Sequence, residues 1–127
     1  MIDLDLQSQR TAQSIAKDCK APSEILENVA TKTLGVLQEN GVYAAALYTF
    51  TRTGEQKQAA DAVRKGLLGM AQYLQLETPP ASENATAVLR YLTEKVCNGL
   101  DRMLLVKQVW EQTLIYTRFG AKAEKHP

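Results

Sequence analysis

Histidine is nearly missing from this chain of 127 residues: His126, next to last, is the only one. A lone terminal histidine gives no basis for a His-based triad or a general base, and it anchors no metal cluster. Cysteine is scarce too. Cys19 and Cys97 lie far apart without a CxxC spacing, which excludes a thiolate zinc site and leaves both as small buried hydrophobes. No phosphate loop, dinucleotide fingerprint, nucleophile elbow or zinc-protease motif occurs. The carboxylates stand singly or beside bases, as Glu55 does with Lys57 and Asp61 with Arg64 or Lys65. A non-enzymatic protein is therefore expected, with no metal, no cofactor and no small-molecule substrate. No apolar run approaches the ~18 residues of a membrane span. The opening Met1-Ile2-Asp3-Leu4-Asp5 lacks a basic segment followed by an apolar one, so a cytoplasmic protein without membrane contact is expected. For the same reason the sequon Asn84-Ala85-Thr86 carries no weight. Charge of one sign is also lacking: 15 Lys and Arg face 14 Asp and Glu, for a net +1. Any affinity for nucleic acid must then come from where the cations sit.

What is present is ordinary for a globular protein: 45% hydrophobic and 23% charged residues. The length suits one domain. Residues 3 to 20 read as a first helix, with Leu4, Thr11, Ala12, Ile15, Ala16 and Cys19 on its apolar side. It stops before Pro22, because the residue preceding a proline leaves the α region. Pro22-Ser23-Glu24 opens a second helix faced by Ile25, Leu26, Val29, Ala30, Val36 and Leu37. Asn40-Gly41 closes it, the glycine supplying the C-cap. Val42 to Phe50 contains the strand formers Val, Tyr, Thr and Phe. Three consecutive Ala and the absence of a partner strand favour a buried helix. Beyond the loop Thr51 to Glu55, a fourth helix is expected from Gln56 to about Glu77, with Ala59, Val63, Leu67, Met70 and Leu74 inward. Gly66 and Gly69 weaken it by roughly 1 kcal/mol each, tolerably if a neighbouring helix approaches there. Pro79-Pro80 is the firmest break. Ser82 is the expected N-cap of a fifth helix, Glu83 to Asn98-Gly99, using Ala85, Val88, Leu89, Leu92 and Val96.

The last run, Asp101 to Ala123, holds the only Trp. On a helix Met103, Val106, Trp110, Leu114 and Ala121 share one side, and Leu104, Leu105, Val109, Ile115, Tyr116 and Phe119 spread over much of the rest. A helix apolar nearly all round is usually enclosed by others. Residues 1–123 thus read as one all-α domain, a bundle of five or six helices, with 124–127 as a frayed tail.

Basic residues recur along single helix sides: Arg10 with Lys17, Lys57 with Arg64, and Lys107 with Arg118 and Lys125, Lys122 lying close by. An i,i+7 pair spans roughly 10 Å along the axis, a spacing able to follow a nucleic-acid backbone. Asp61 and Glu111 interrupt two of these stripes. Solvated surface charge is the competing account.

Three stretches resemble a known family: Leu6-Gln7-Ser8-Gln9-Arg10-Thr11-Ala12; Leu37-Gln38-Glu39-Asn40-Gly41-Val42-Tyr43-Ala44-Ala45-Ala46-Leu47; and Leu105 to Ala123, with Glu111-Gln112-Thr113-Leu114 and Tyr116-Thr117-Arg118-Phe119-Gly120-Ala121-Lys122-Ala123. They are similar to the opening helix, the Asn-Gly turn with its small apolar helix, and the closing helix of the small all-helical subunit of type III-B (Cmr-type) CRISPR effector complexes. The resemblance implies a non-catalytic subunit of an antiviral ribonucleoprotein that stacks with copies of itself and with other subunits as an inner filament. It implies help in holding the guide RNA–target RNA duplex through its backbone, while another subunit cuts the target. On that reading Arg10, Lys17, Lys57, Arg64, Lys107, Arg118 and Lys122 are the candidate RNA contacts. Leu105, Tyr116 and Phe119 are the candidate subunit contact. A helical adaptor that binds only protein is the alternative.

Overall fold

Helix boundaries follow the capping chemistry of the sequence, with local exceptions. A computed structural model describes residues 2–125, of Lys125 the backbone only; His126 and Pro127 of the expected tail lie outside the described residues. Helix α1 spans Leu4–Asp18, where Asp3 caps its start by accepting from the Leu6 N–H at 3.1 Å. Helix α2 spans Ser23–Asn40 and ends at Gly41, whose φ of 94° favours glycine and whose N–H donates to the Leu37 carbonyl at 2.9 Å. Helix α3, Val42–Thr49, follows directly. Helix α4 covers Glu55–Gly69, and α5 covers Ala85–Tyr91. Helix α6, Leu100–Lys125, is the longest at 26 residues. The described residues thus form an all-α bundle of six helices.

Three boundaries differ from expectation. The fourth helix stops short of Glu77: it tightens into a 3-10 turn at Met70–Tyr73, and Gln75 turns the chain with a φ of 57°. The N-cap of α5 is Asn84, whose side chain accepts from the Ala87 N–H at 3.1 Å. Ser82, expected in that place, instead offers its carbonyl to Arg64. The last turn of the fifth helical run is a π-helical segment, Leu92–Val96, closed by the Cys97 N–H on the Leu92 carbonyl at 2.7 Å. At the other end of the chain, α6 runs through Glu124 to Lys125.

Helix α2 is the centre of the bundle, packed against α6, α3 and α4, while α1 packs on α6 and α4. Its inward residues Leu26, Val29, Ala30, Leu34 and Leu37 are buried, and so is Thr33. The Thr33 hydroxyl is satisfied by the Val29 carbonyl at 2.7 Å, one turn back. In α1 the buried residues are Ser8, Ala12 and Ile15, whereas Ala16 faces solvent. Trp110 is buried and donates its indole N–H to the Leu67 carbonyl at 3.1 Å, joining α6 to α4. Both cysteines are half-buried rather than enclosed, and both are free thiols.

Helix α6 is not surrounded. Val106, Val109, Trp110, Thr113, Leu114, Thr117 and Ala121 are buried, and on a helical wheel they fill about 140° of the circumference. Leu100, Leu104, Leu105 and Phe119, outside that arc, are 66%, 49%, 38% and 55% exposed. The helix therefore buries one side fully, while around the rest of its circumference half-buried residues, Ile115 among them, alternate with these exposed ones.

Candidate nucleic-acid interface

The expected cations fall into three separate places. On α1, Arg10 and Lys17 are exposed and lie within about 20° of each other on the ridge opposite the buried Ser8, Ala12 and Ile15. Arg10 borders a cleft of about 210 Å³ between α1 and α4, which also receives Lys65 and Asp18. Lys17 borders a larger groove of about 720 Å³, where α1, the start of α2 and the end of α6 meet. Lys65 is a cation that the helical stripes did not single out. It joins Arg10 only through the packing of α1 on α4, which periodicity within one helix does not carry.

On α4 the pair divides. Lys57 is exposed and ion-paired with Asp61 at 2.8 Å. Arg64 is buried, only 4% exposed, and this corrects its place among the RNA contacts. Its Nε donates to the Ser82 carbonyl at 2.6 Å, Nη1 to Thr49 Oγ1 at 3.1 Å and Nη2 to Asp61 at 2.7 Å. Its guanidinium lies 3.8 Å from the centre of the Phe50 ring. A cation so enclosed, with three donors directed inward, is structural. The signal was in the sequence: on the wheel Arg64 sits amid Ala60, Leu67, Leu68 and Ala71, all buried. For Asp61, burial pushes the carboxyl up, but hydrogen bonds and charge from Lys57 and Arg64 outweigh it, so it lies below the usual carboxylate range.

On α6 the arc beginning about 20° beyond the buried Leu114 carries Lys107, Arg118 and Lys122. Lys107 and Arg118 are half-buried, and Lys122 is exposed. Lys107 and Arg118 lie about 16 Å apart along the axis. The side chain of Lys125, the seam's last member, lies outside the described residues. Leu100, Leu104 and half-buried Glu111 share this arc, and the Arg118 guanidinium lies 5.4 Å from the Phe119 ring. The groove that holds Lys17 meets α6 on the opposite side, at Tyr116, Thr117, Gly120, Ala121 and Glu124. The cations of α1 and those of α6 therefore do not form one continuous track.

The three expected subunit contacts do come together. Leu105, Tyr116 and Phe119 lie within about 60° on the outer side of α6. Leu105 and Phe119 are exposed, while Tyr116 is half-buried and its hydroxyl donates to Asp5 of α1. That hydrogen bond, with a smaller contribution from desolvation, holds the Tyr116 hydroxyl above its ordinary pKa. A second exposed apolar set, Tyr43 and Leu47, lies on α3, where the Tyr43 backbone meets Cys97.

No group of three His, Cys, Asp or Glu among the described residues is placed to hold a metal ion. Burial pushes both thiols up, outweighing an opposite, smaller effect of the backbone at Ala21 on Cys19 and at Tyr43 on Cys97, and so disfavours the reactive thiolate. No described helix is long and apolar enough to cross a membrane. Compared with known proteins, the chain matches no family model, no curated protein and no solved structure.

Proposed function

We propose that this chain is a non-catalytic small subunit of a type III CRISPR effector ribonucleoprotein, which stacks within the assembly and helps hold the guide RNA–target RNA duplex. The observation that carries the reading is the partly exposed outer side of α6. There Lys107, Arg118 and Lys122 share an arc with exposed Leu100 and Leu104, while Leu105 and Phe119 remain open beside it. Such a helix suits a chain that completes its packing against protein neighbours and offers cations to a phosphate backbone. The resemblance adds support, since its three stretches coincide with α1, with the α2–α3 turn at Gly41, and with α6. The assignment to a type III effector, and to subtype III-B within it, rests on the resemblance alone.

A protein-only helical adaptor is the second reading, favoured by the exposed Tyr43 and Leu47 on α3. Affinity purification of the tagged chain from its source cell separates the two. RNA of discrete lengths that co-purifies with further subunits supports the first reading. Protein partners free of RNA after nuclease-free preparation would refute it in favour of the second.

A further inference from the structure

The chain holds two Asn-Gly pairs, Asn40-Gly41 and Asn98-Gly99, and the fold treats their backbones differently. An asparagine followed by glycine is chemically labile, because without a Cβ the glycine nitrogen approaches the asparagine side-chain carbon unhindered. Asn40 is the last residue of α2, and the Gly41 N–H is held by the Leu37 carbonyl at 2.9 Å. A backbone nitrogen fixed in that way is kept from attacking its neighbour. Asn98 is exposed in the turn between the π-helical segment and α6. The Gly99 N–H closes only a loose turn over Cys97 and Asn98, without a well-formed hydrogen bond like that of Gly41. The regular helical ladder ends at Cys97, and the Lys95 carbonyl of this turn also accepts from Arg102 Nη1 at 2.9 Å. Nor does packing require glycine at 99: an added Cβ would meet only the Arg102 guanidinium, 3.2 Å away at the end of a flexible side chain.

We infer that Asn98-Gly99 is a site of spontaneous deamidation in the folded protein and that Asn40-Gly41 is protected. The Gly99 nitrogen, losing its proton to solvent base, bonds to Asn98 Cγ. The Cγ–nitrogen bond of the side-chain amide breaks, and ammonia leaves with a proton taken from solvent, giving a five-membered succinimide. Water then adds to one ring carbonyl and opens the ring to aspartate or to isoaspartate. The balance is one water consumed and one ammonia released, without oxidation or reduction. The product places a carboxylate just ahead of α6, at the positive end of its dipole and near Arg102. In the isoaspartate form it also lengthens the backbone by a methylene beside exposed Leu100. This inference does not depend on the proposed function.

The test ages the intact folded chain in mildly alkaline buffer and follows each Asn by peptide mapping with mass spectrometry and isoaspartate-specific methylation. Conversion at Asn98 is expected to outrun that at Asn40 by at least an order of magnitude, and in urea the two rates should converge. Gly99→Ala should suppress the Asn98 reaction while leaving helicity and the unfolding midpoint close to the parent. Equal rates at Asn98 and Asn40 in the folded chain would overturn the inference. So would undiminished conversion in Gly99→Ala, or a rate at Asn98 no higher than at Asn28 and Asn84, which precede Val29 and Ala85.

Discussion

Arg64 lays its guanidinium 3.8 Å from the centre of the Phe50 ring, and only 4% of the residue reaches solvent. Through the same group it fastens α4 to Thr49 at the end of α3 and to Ser82 in the proline-containing connection. That connection has a second tie, the Tyr91 hydroxyl donating to the Glu77 carbonyl at 2.7 Å. Arg64→Met keeps the bulk but leaves the Ser82 carbonyl and one side of Thr49 without their donor. The expected loss is about 3 kcal/mol, the scale for breaking a buried charged network from one side. Arg64→Lys should recover only part of it, since an ammonium lacks the planar fork that serves three acceptors. Urea unfolding measures the loss. Faster amide exchange over residues 77–84 in both variants would show that the connection is what loosens.

Gly66 and Gly69 occupy neighbouring turns of α4 yet should respond to alanine with opposite signs. A Cβ on Gly66 would overlap Ile15 of α1, which is buried, whereas one on Gly69 meets nothing within 4 Å. Overpacking at Gly66 costs roughly 1–3 kcal/mol and outweighs the gain of about 1 kcal/mol in helix propensity. Gly66→Ala should therefore destabilise. Gly69→Ala, near the helix end and exposed, should stabilise by up to about 1 kcal/mol. Denaturation midpoints of the two variants check both signs, and Ile15→Ala, which removes both overlapping atoms, should cost less in the Gly66→Ala background than in the parent.

These two sites also mark how far the sequence could be read. Periodicity, prolines and the Asn40-Gly41 stop located every helix, because those signals are local. The glycines of α4 read alike, because which one touches α1 depends on a packing angle that no single helix encodes. Helix α6 read as enclosed because its residues are apolar nearly all round, yet only one side of it is fully buried. Among the candidate site residues, Arg10 and Lys17 share an exposed ridge as spaced, whereas Lys107 and Arg118 share an arc but are half-buried there. Arg64 had the right spacing but the wrong surroundings. Its burial was legible from Ala60, Leu67, Leu68 and Ala71 around it, whereas its partner Ser82, across a loop, was not.

Asp61 should give the chain a specific sensitivity to acid. Burial raises its pKa, but the hydrogen bonds from Lys57 and Arg64 lower it further, so the folded value lies below the unfolded one of about 3.9. A depressed carboxylate contributes stability that is present above the unfolded pKa and lost as pH falls through the folded value. Asp61→Asn should accordingly be less stable than the parent at neutral pH. The gap between them should close as the pH drops below about 4. Urea midpoints of both proteins across that range test this, and a gap that stays constant would remove Asp61 as the titrating group.

Charge reversal on opposite sides of the bundle tests where RNA would lie. Lys107 and Arg118 share the outer arc of α6, and Arg10 and Lys17 lie on the ridge of α1, with the buried side of α6 between the two sets. If the α6 arc meets a phosphate backbone, Lys107→Glu with Arg118→Glu removes two contacts from it. The slope of log affinity against log salt should then flatten by about 1.8 on the duplex scale. Arg10→Glu with Lys17→Glu makes the same change in net charge but should leave that slope nearly as it was. Binding is measured on the chain together with the partners that co-purify with it, so that an incomplete groove does not mask the effect. Equal flattening by both pairs would mean that the chain attracts RNA through its overall charge alone. That outcome would take the α6 arc out of the proposed interface, because an arc interrupted by Glu111 has only its position, and no excess of charge, to favour it.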